Sequence, residues 1–196
     1  MCWNREVSWA TGLSATGISL YLLASGKGND IPIALVSLTI ALMQFAEAFM
    51  WEGRAIGGRL GVTALFLQPL ALVLGILWLR NASLVWMGAW IAIWAAVGLP
   101  TLLPMLRKTW PATPGCKGHL QWSFLDPMLA SPFAVLYWAV MLGGWLFLKP
   151  FQEGVGYAAL AGGTLAITWF FFPGEWGSLW CFLANALPLA RLLRRL

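Results

Sequence analysis

The chain has 196 residues; 60% are hydrophobic and only 10% are charged, with 12 Lys and Arg against 7 Asp and Glu. A typical soluble domain carries about 25% charged residues, so this composition excludes an ordinary cytosolic domain. With a mean hydropathy of +0.77 it also excludes disorder. One bilayer crossing takes about 20 apolar residues, so seven would use roughly 140 positions and leave only short loops.

Seven apolar segments follow in chain order. Helices are predicted over Ser8–Ser25, Ile31–Trp51, Gly61–Leu79, Ser83–Leu106, Pro127–Leu148, Val155–Phe172 and Trp176–Ala190. The expected fold is all-α, a single polytopic bundle of about seven transmembrane helices over residues 1–196. Turn residues separate the spans at Gly26-Lys27-Gly28-Asn29-Asp30, Glu52-Gly53-Arg54, Arg80-Asn81, Lys149-Pro150 and Pro173-Gly174-Glu175. The seventh span is short, and Arg191 can snorkel to the headgroups to extend it. Arg5 and Glu6 precede the first apolar stretch and no small-residue cleavage site follows it, so a cleavable signal peptide is not expected. No internal repeat supports an inverted-repeat transporter.

Seven spans put Arg5, Arg54, Arg59, Arg107, Lys108 and Lys117 on the side of the N-terminus. Lys27, Arg80, Lys149, Arg191, Arg194 and Arg195 fall on the other side. The Lys and Arg count ties, so it does not fix orientation. Fewer acids and the terminal Arg cluster tilt the expectation toward N-terminus outside and C-terminus cytoplasmic, in a bacterial inner membrane. The basic tail then lies near anionic headgroups, foremost as a topology anchor.

The unusual residues gather on the N-terminal side. They are Cys2 and Trp3; Glu47, Trp51 and Glu52; the 4–5 loop with Cys116, His119 and Trp122; and the 6–7 turn with Glu175, Trp176, Trp180 and Cys181. An aromatic belt accounts for interfacial Trp, but not for the polar groups among them. Gln44, Glu47 and Trp51 share one face of the second helix. An ionisable group inside a span usually faces the bundle or a watery cavity. Two readings of Glu47 stay open: a packing hydrogen bond, or a proton, ion or ligand role. Gln68 beside Pro69 can satisfy backbone freed by the proline, as can Asn185 near Pro188; these breaks, with Pro100 and Pro104, read as kinks ahead of binding sites. Trp86, Trp90 and Trp94 form a stripe suited to packing, lipid contact or an aromatic ligand. Small residues at Ser8/Gly12, Gly143-Gly144 and Gly162-Gly163 allow close helix approach.

Several chemistries are disfavoured. One histidine excludes an intrachain bis-His haem and a zincin motif. All four lysines fall in loops or at helix ends, which disfavours a retinal Schiff base. No cofactor, no metal assignment and no nucleic-acid partner is expected. Cys2, Cys116 and Cys181 permit one disulfide or none, and Cys181 reads as a free buried thiol. A metal site from Cys2, Cys116, His119, Cys181 and Glu175 is chemically reasonable but matches no standard spacing.

Four patterns occur in order: Cys2-Trp3 with Ser8; Gln44-x-x-Glu47-x-x-x-Trp51; His119-Leu120-Gln121-Trp122; and Glu175-Trp176-Gly177-Ser178-x-Trp180-Cys181. Together they resemble an uncharacterised family of small multi-pass membrane proteins of bacteria and large DNA viruses. The resemblance implies that these positions matter, and it implies no activity.

Three functions remain. The first is a small proton, ion or solute transporter or channel using Glu47, with Gln44, Gln68, Trp51, Trp122 and Trp180 nearby. The second is an accessory subunit of a larger membrane complex, with partner subunits or its own copies. The third is a membrane-embedded enzyme on a lipid-like substrate, with His119, Glu175 and Glu47 as acid–base groups. The balance leans away from an enzyme.

Overall fold

A computed structural model describes residues 4–115 and 118–194. The chain is almost wholly helical. The first four helices are α1 (Arg5–Ser25), α2 (Asp30–Trp51), α3 (Ala55–Leu79) and α4 (Leu84–Leu106). A small hairpin follows, with β1 (Ala112–Pro114) antiparallel to β2 (Leu120–Trp122) and Ala112 opposite Trp122. Then come α5 (Leu125–Leu129), α6 (Pro132–Gly143) with a 3-10 turn at Gly144–Phe147, α7 (Phe151–Phe171), α8 (Trp176–Ala184) and α9 (Ala186–Leu193).

Five of these helices, α1, α2, α3, α4 and α7, are long and apolar enough to cross a membrane. Large apolar side chains such as Leu84, Val85, Val135 and Phe170 point outward from the bundle. Both features suggest a membrane protein, because such a surface is stable against lipid rather than water.

The remaining predicted spans are interrupted, for local reasons. Pro127–Leu148 becomes α5, a break at Ala130–Ser131, then α6 and the 3-10 turn. Pro132 disfavours helical backbone at Ser131, which is extended at ψ 157°. Trp176–Ala190 splits at Asn185 into α8 and α9. Pro188 has no N–H to offer the carbonyl of Ala184, and Asn185 Nδ2 bonds the Cys181 carbonyl at 3.0 Å. Elsewhere the helices outrun the apolar stretches. α1 starts at Arg5 because Asn4 caps it, accepting the Val7 N–H at 2.8 Å. α3 starts at Ala55 and α7 at Phe151, earlier than hydropathy indicates.

α2 is the centre of the molecule. It packs against α1, α3, α8 and α9. Its contact with α3 is backbone-close: a Cβ on Gly75 would lie 2.5 Å from Pro32 Cα. Between α1 and α2, Gly12 fits against the Phe45 ring, and Trp9 packs on Phe45 and Phe49 with centroids 5.4 Å away. The other glycine pairs behave differently. Gly143, Gly162 and Gly163 face open space, and only Gly144 meets a neighbour, Leu72. The Trp stripe of α4 is not one surface either. Trp86 is exposed, while Trp94 is buried and donates to the Phe66 carbonyl at 2.7 Å.

Candidate functional site

Glu47 is fully buried, with 0% of its surface exposed. It lies on the face of α2 turned into the bundle, one turn from Gln44, which is also buried. Thr11 Oγ1 of α1 sits 3.0 Å from the Gln44 amide oxygen. From α8, Ser178 and Cys181 project on one face at a spacing of three, both buried. The Cys181 side chain lines the same small cavity as Gln68 and lies within electrostatic reach of Glu47. Gln68 accepts the Tyr137 O–H at 2.5 Å. It thus reaches across to α6 instead of serving the backbone near Pro69. Polar side chains from α1, α2, α3, α6 and α8 thus gather in the part of the bundle that holds Glu47. Beside them lies a cavity of about 20 Å³, lined by Gln68, Cys181, Trp180, Trp145, Ile40 and Thr164, with room for one water.

A cap closes this end of the bundle. Glu175, at the start of α8, is buried and accepts the His119 N–H at 3.0 Å. The hairpin turn folds around its carboxylate. Gly115 bonds the His119 carbonyl at 2.7 Å, and a Cβ on Gly115 would fall 2.2 Å from Glu175 Oε1. Only glycine permits that approach. The His119 ring, 3% exposed, meets Phe172 edge-on at 5.6 Å. Burial pushes its pKa below the usual 6.5, partly opposed by the negative charge of Glu175.

Between cap and centre lies an aromatic layer. Trp122 stacks on Phe124. Trp138 packs against both Trp176 and Trp180, at 6.0 and 5.5 Å. Trp180 also donates its indole N–H to the Ala161 carbonyl of α7 at 3.1 Å. Glu175 and Cys181 are six residues apart on α7's neighbour α8, about 9 Å along its axis by helical rise.

The structure thus brings Glu47, Gln44, Gln68 and Cys181 into one centre and His119, Glu175 and Trp122 into the cap above it. Trp51 is half-buried one turn beyond Glu47, and its indole nitrogen bonds no described residue. Cys2 and Cys116 lie outside the described residues, so the disulfide and mixed metal-site readings that use them go no further. Cys181 is a free buried thiol. Among the described residues no three His, Cys, Asp or Glu side chains converge as metal ligands.

A second cluster, which the sequence reading missed, occupies the opposite end. Asp30 is fully buried at the start of α2. Arg191 of α9 pairs with Asp30 at 2.7 Å and with Glu153 of α7 at 2.5 Å. Asn29 donates to Glu153 at 3.0 Å and to the Lys149 carbonyl at 2.6 Å. Arg194 approaches Glu153 at 4.0 Å and lies over the Tyr157 ring. Arg191 was expected to reach outward to headgroups; it turns inward to two carboxylates. A signal existed in the sequence. Asp30 and Glu153 fall on the same side as Lys27, Lys149 and Arg191 under the seven-span count, so opposite charges were available to pair there.

No family model, curated protein or solved structure matches the chain. The resemblance to small multi-pass membrane proteins therefore rests on its four short patterns alone.

Proposed function

We propose that this protein is a small membrane transporter or channel for protons or small cations, with Glu47 as the exchangeable group. In this reading α6 with its 3-10 turn and α8 with α9 complete seven crossings. The observation that carries it is the full burial of Glu47 in a part of the bundle that also holds buried Gln44, Gln68, Tyr137, Ser178 and Cys181. Taking a carboxylate out of water is costly. A group needed only for packing could be an amide, which makes comparable hydrogen bonds without titrating. A carboxyl adds the ability to bind and release a proton or cation.

The cap side offers an approach. Glu175, Ser178 and Cys181 repeat every three residues on α8 and lead from the cap to the Glu47 centre. The cavity beside Gln68 and Cys181 has room for a water at the end of that line.

The test is flux across liposomes holding the purified protein, under imposed pH and cation gradients. Wild-type protein should pass protons or a cation, and Glu47→Gln should suppress the flux while leaving the purified protein monodisperse. Absence of flux under every gradient, or equal flux through Glu47→Gln, overturns the reading.

A further inference from the structure

Glu47 and Asp30 are the two fully buried carboxyl groups of α2, and they stand at its opposite ends. Seventeen residues separate them, about 25 Å by helical rise, close to the thickness of a hydrocarbon core. The face of α2 between them is not uniformly apolar. Asp30, Ser37 and Gln44 recur every seven residues, so all three point toward the same neighbour. That neighbour is α1. Ser25 Oγ lies 3.0 Å from Asp30 Oδ2, and Thr11 Oγ1 lies 3.0 Å from Gln44 Oε1. Counting inward from either contact puts Ser19 level with Val36–Ser37. Counting outward from Thr11 puts buried Ser8 level with Glu47. The seam between α1 and α2 therefore carries polar rungs from one end to the other.

Small polar residues often join membrane helices simply by bonding across them. One of these rungs does not fit that role. Most serines and threonines near them satisfy their hydroxyls on a carbonyl three or four residues back: Ser8 on Asn4, Thr11 on Val7, Ser25 on Leu22 and Thr39 on Val36. Ser19 and Ser37 are buried at 0% and 1% exposure, and neither hydroxyl bonds any described residue. Two unused hydroxyls at one level of a helix seam, midway between two buried carboxyl groups, are groups able to bind water.

We infer that the transported species is the proton, and that it travels between Glu47 and Asp30 along the α1–α2 seam, past Gln44 and the Ser19/Ser37 level. This rests on the reading of Glu47 as the exchangeable group. The chemistry of the rungs selects the proton. Each level supplies two or three side-chain oxygens, whereas a bare metal cation needs about six. A proton needs only alternating donors and acceptors, which hydroxyls, an amide and intervening water provide. Neighbouring rungs on α2 are about 10 Å apart by helical rise, so conduction requires water to enter the seam between them. The step conserves atoms simply: the Glu47 carboxyl releases a proton into the seam, Asp30 accepts it and passes it to water at its end of the bundle, and Glu47 is reprotonated from the cap side. Arg191, paired with Asp30, sets how readily that end accepts the proton.

The experiment is proton flux in liposomes, read by a trapped pH-sensitive dye under a potassium diffusion potential. Ser19→Ala, Ser37→Ala and the double variant are compared with Ser19→Thr and Ser37→Thr. Loss of the hydroxyls should slow proton flux by about tenfold or more, one hydrogen bond's worth of barrier, and the threonine variants should retain it. Sodium or potassium flux through the wild-type protein would overturn the proton assignment. Undiminished flux in the alanine variants, with Glu47→Gln still inactive, overturns the route and leaves the role of Glu47 standing. No flux in the wild-type protein overturns both. If the double variant fails to purify as a monodisperse species, the single variants decide.

Discussion

Replacing Arg191 with methionine tests whether the Asp30 end is held by charge. Methionine keeps much of the side-chain length and removes the guanidinium. In the structure that group is the shared partner of Asp30, whose side chain is 0% exposed, and Glu153, whose side chain is 12% exposed. Breaking a buried ion pair from one side costs about 3–5 kcal/mol, because the remaining charge stays buried without its partner. The value here belongs near the lower limit. Asp30 keeps contacts with Ser25 Oγ at 3.0 Å and the Lys27 N–H at 3.3 Å, and Arg194 stands 4.0 Å from Glu153. The expected loss is therefore about 3 kcal/mol. The triple variant Arg191→Met, Asp30→Asn, Glu153→Gln removes all three charges and should return to within about 1 kcal/mol of wild type, since neutral replacement of a buried network is often benign. The assay is equilibrium unfolding in mixed micelles, followed by tryptophan fluorescence. A cost below about 1 kcal/mol for Arg191→Met would show a solvent-screened surface pair. A triple variant no better than the single one would show that packing, not charge, holds α9.

The cap should respond to pH. Burial lowers the folded-state pKa of His119 below its ordinary 6.5, so its contribution is full above 6.5 and is lost as pH falls from there through the lowered value. Limited proteolysis of the hairpin should accelerate over that acidic interval, and His119→Gln should flatten the dependence; an equally steep profile in that variant would place the titrating group elsewhere. Gly75→Ala should cost about 1–3 kcal/mol, because its Cβ meets the Pro32 backbone at 2.5 Å. Gly88→Ala, with nothing within 4 Å, should be neutral or slightly stabilising in the same unfolding assay, and equal effects at both sites would refute the close α2–α3 contact.

The long helices were legible because hydropathy is a sum over many residues. Single substitutions hardly change a window of about 20. Breaks are set by one or two residues and by geometry, so they were harder to read. Pro132 and Pro188 were both visible in the sequence, yet only the structure shows that each ends a helix. The early starts of α1 and α3 have the opposite cause. Arg5 and Arg59 lower the hydropathy of segments that remain helical for capping and backbone reasons.

The polar clusters were unequally legible for a related reason. Glu47 stands inside an apolar stretch, where a charge is anomalous on sight. Asp30 stands next to Gly28 and Asn29, where the same residue type reads as part of a turn. Its significance depends on Arg191, 161 residues later, and no local pattern carries a pairing over that distance. His119 and Glu175 were placed on one side by counting spans. Their bond, and the need for Gly115 between them, depended on a hairpin that the sequence presented only as a long loop.

The way α2 is held bears on which helix can admit water to the seam. α2 and α3 meet backbone to backbone at Gly75 and Pro32, a contact with no side chain to yield. On its other side, α2 meets α1 through hydroxyl contacts at Thr11 and Ser25 and through Trp9 against Phe45 and Phe49. The hydroxyl contacts can re-form with water in place of a protein partner, whereas the backbone contact cannot. Separation along the seam thus falls to α1, whose C-terminal end is tied to α2 by the Ser25–Asp30 contact. Moving α1 leaves α2 held by α3 at Gly75 and, beside Glu47, at Gly57, whose Cβ would lie 2.8 Å from the Ala46 carbonyl oxygen.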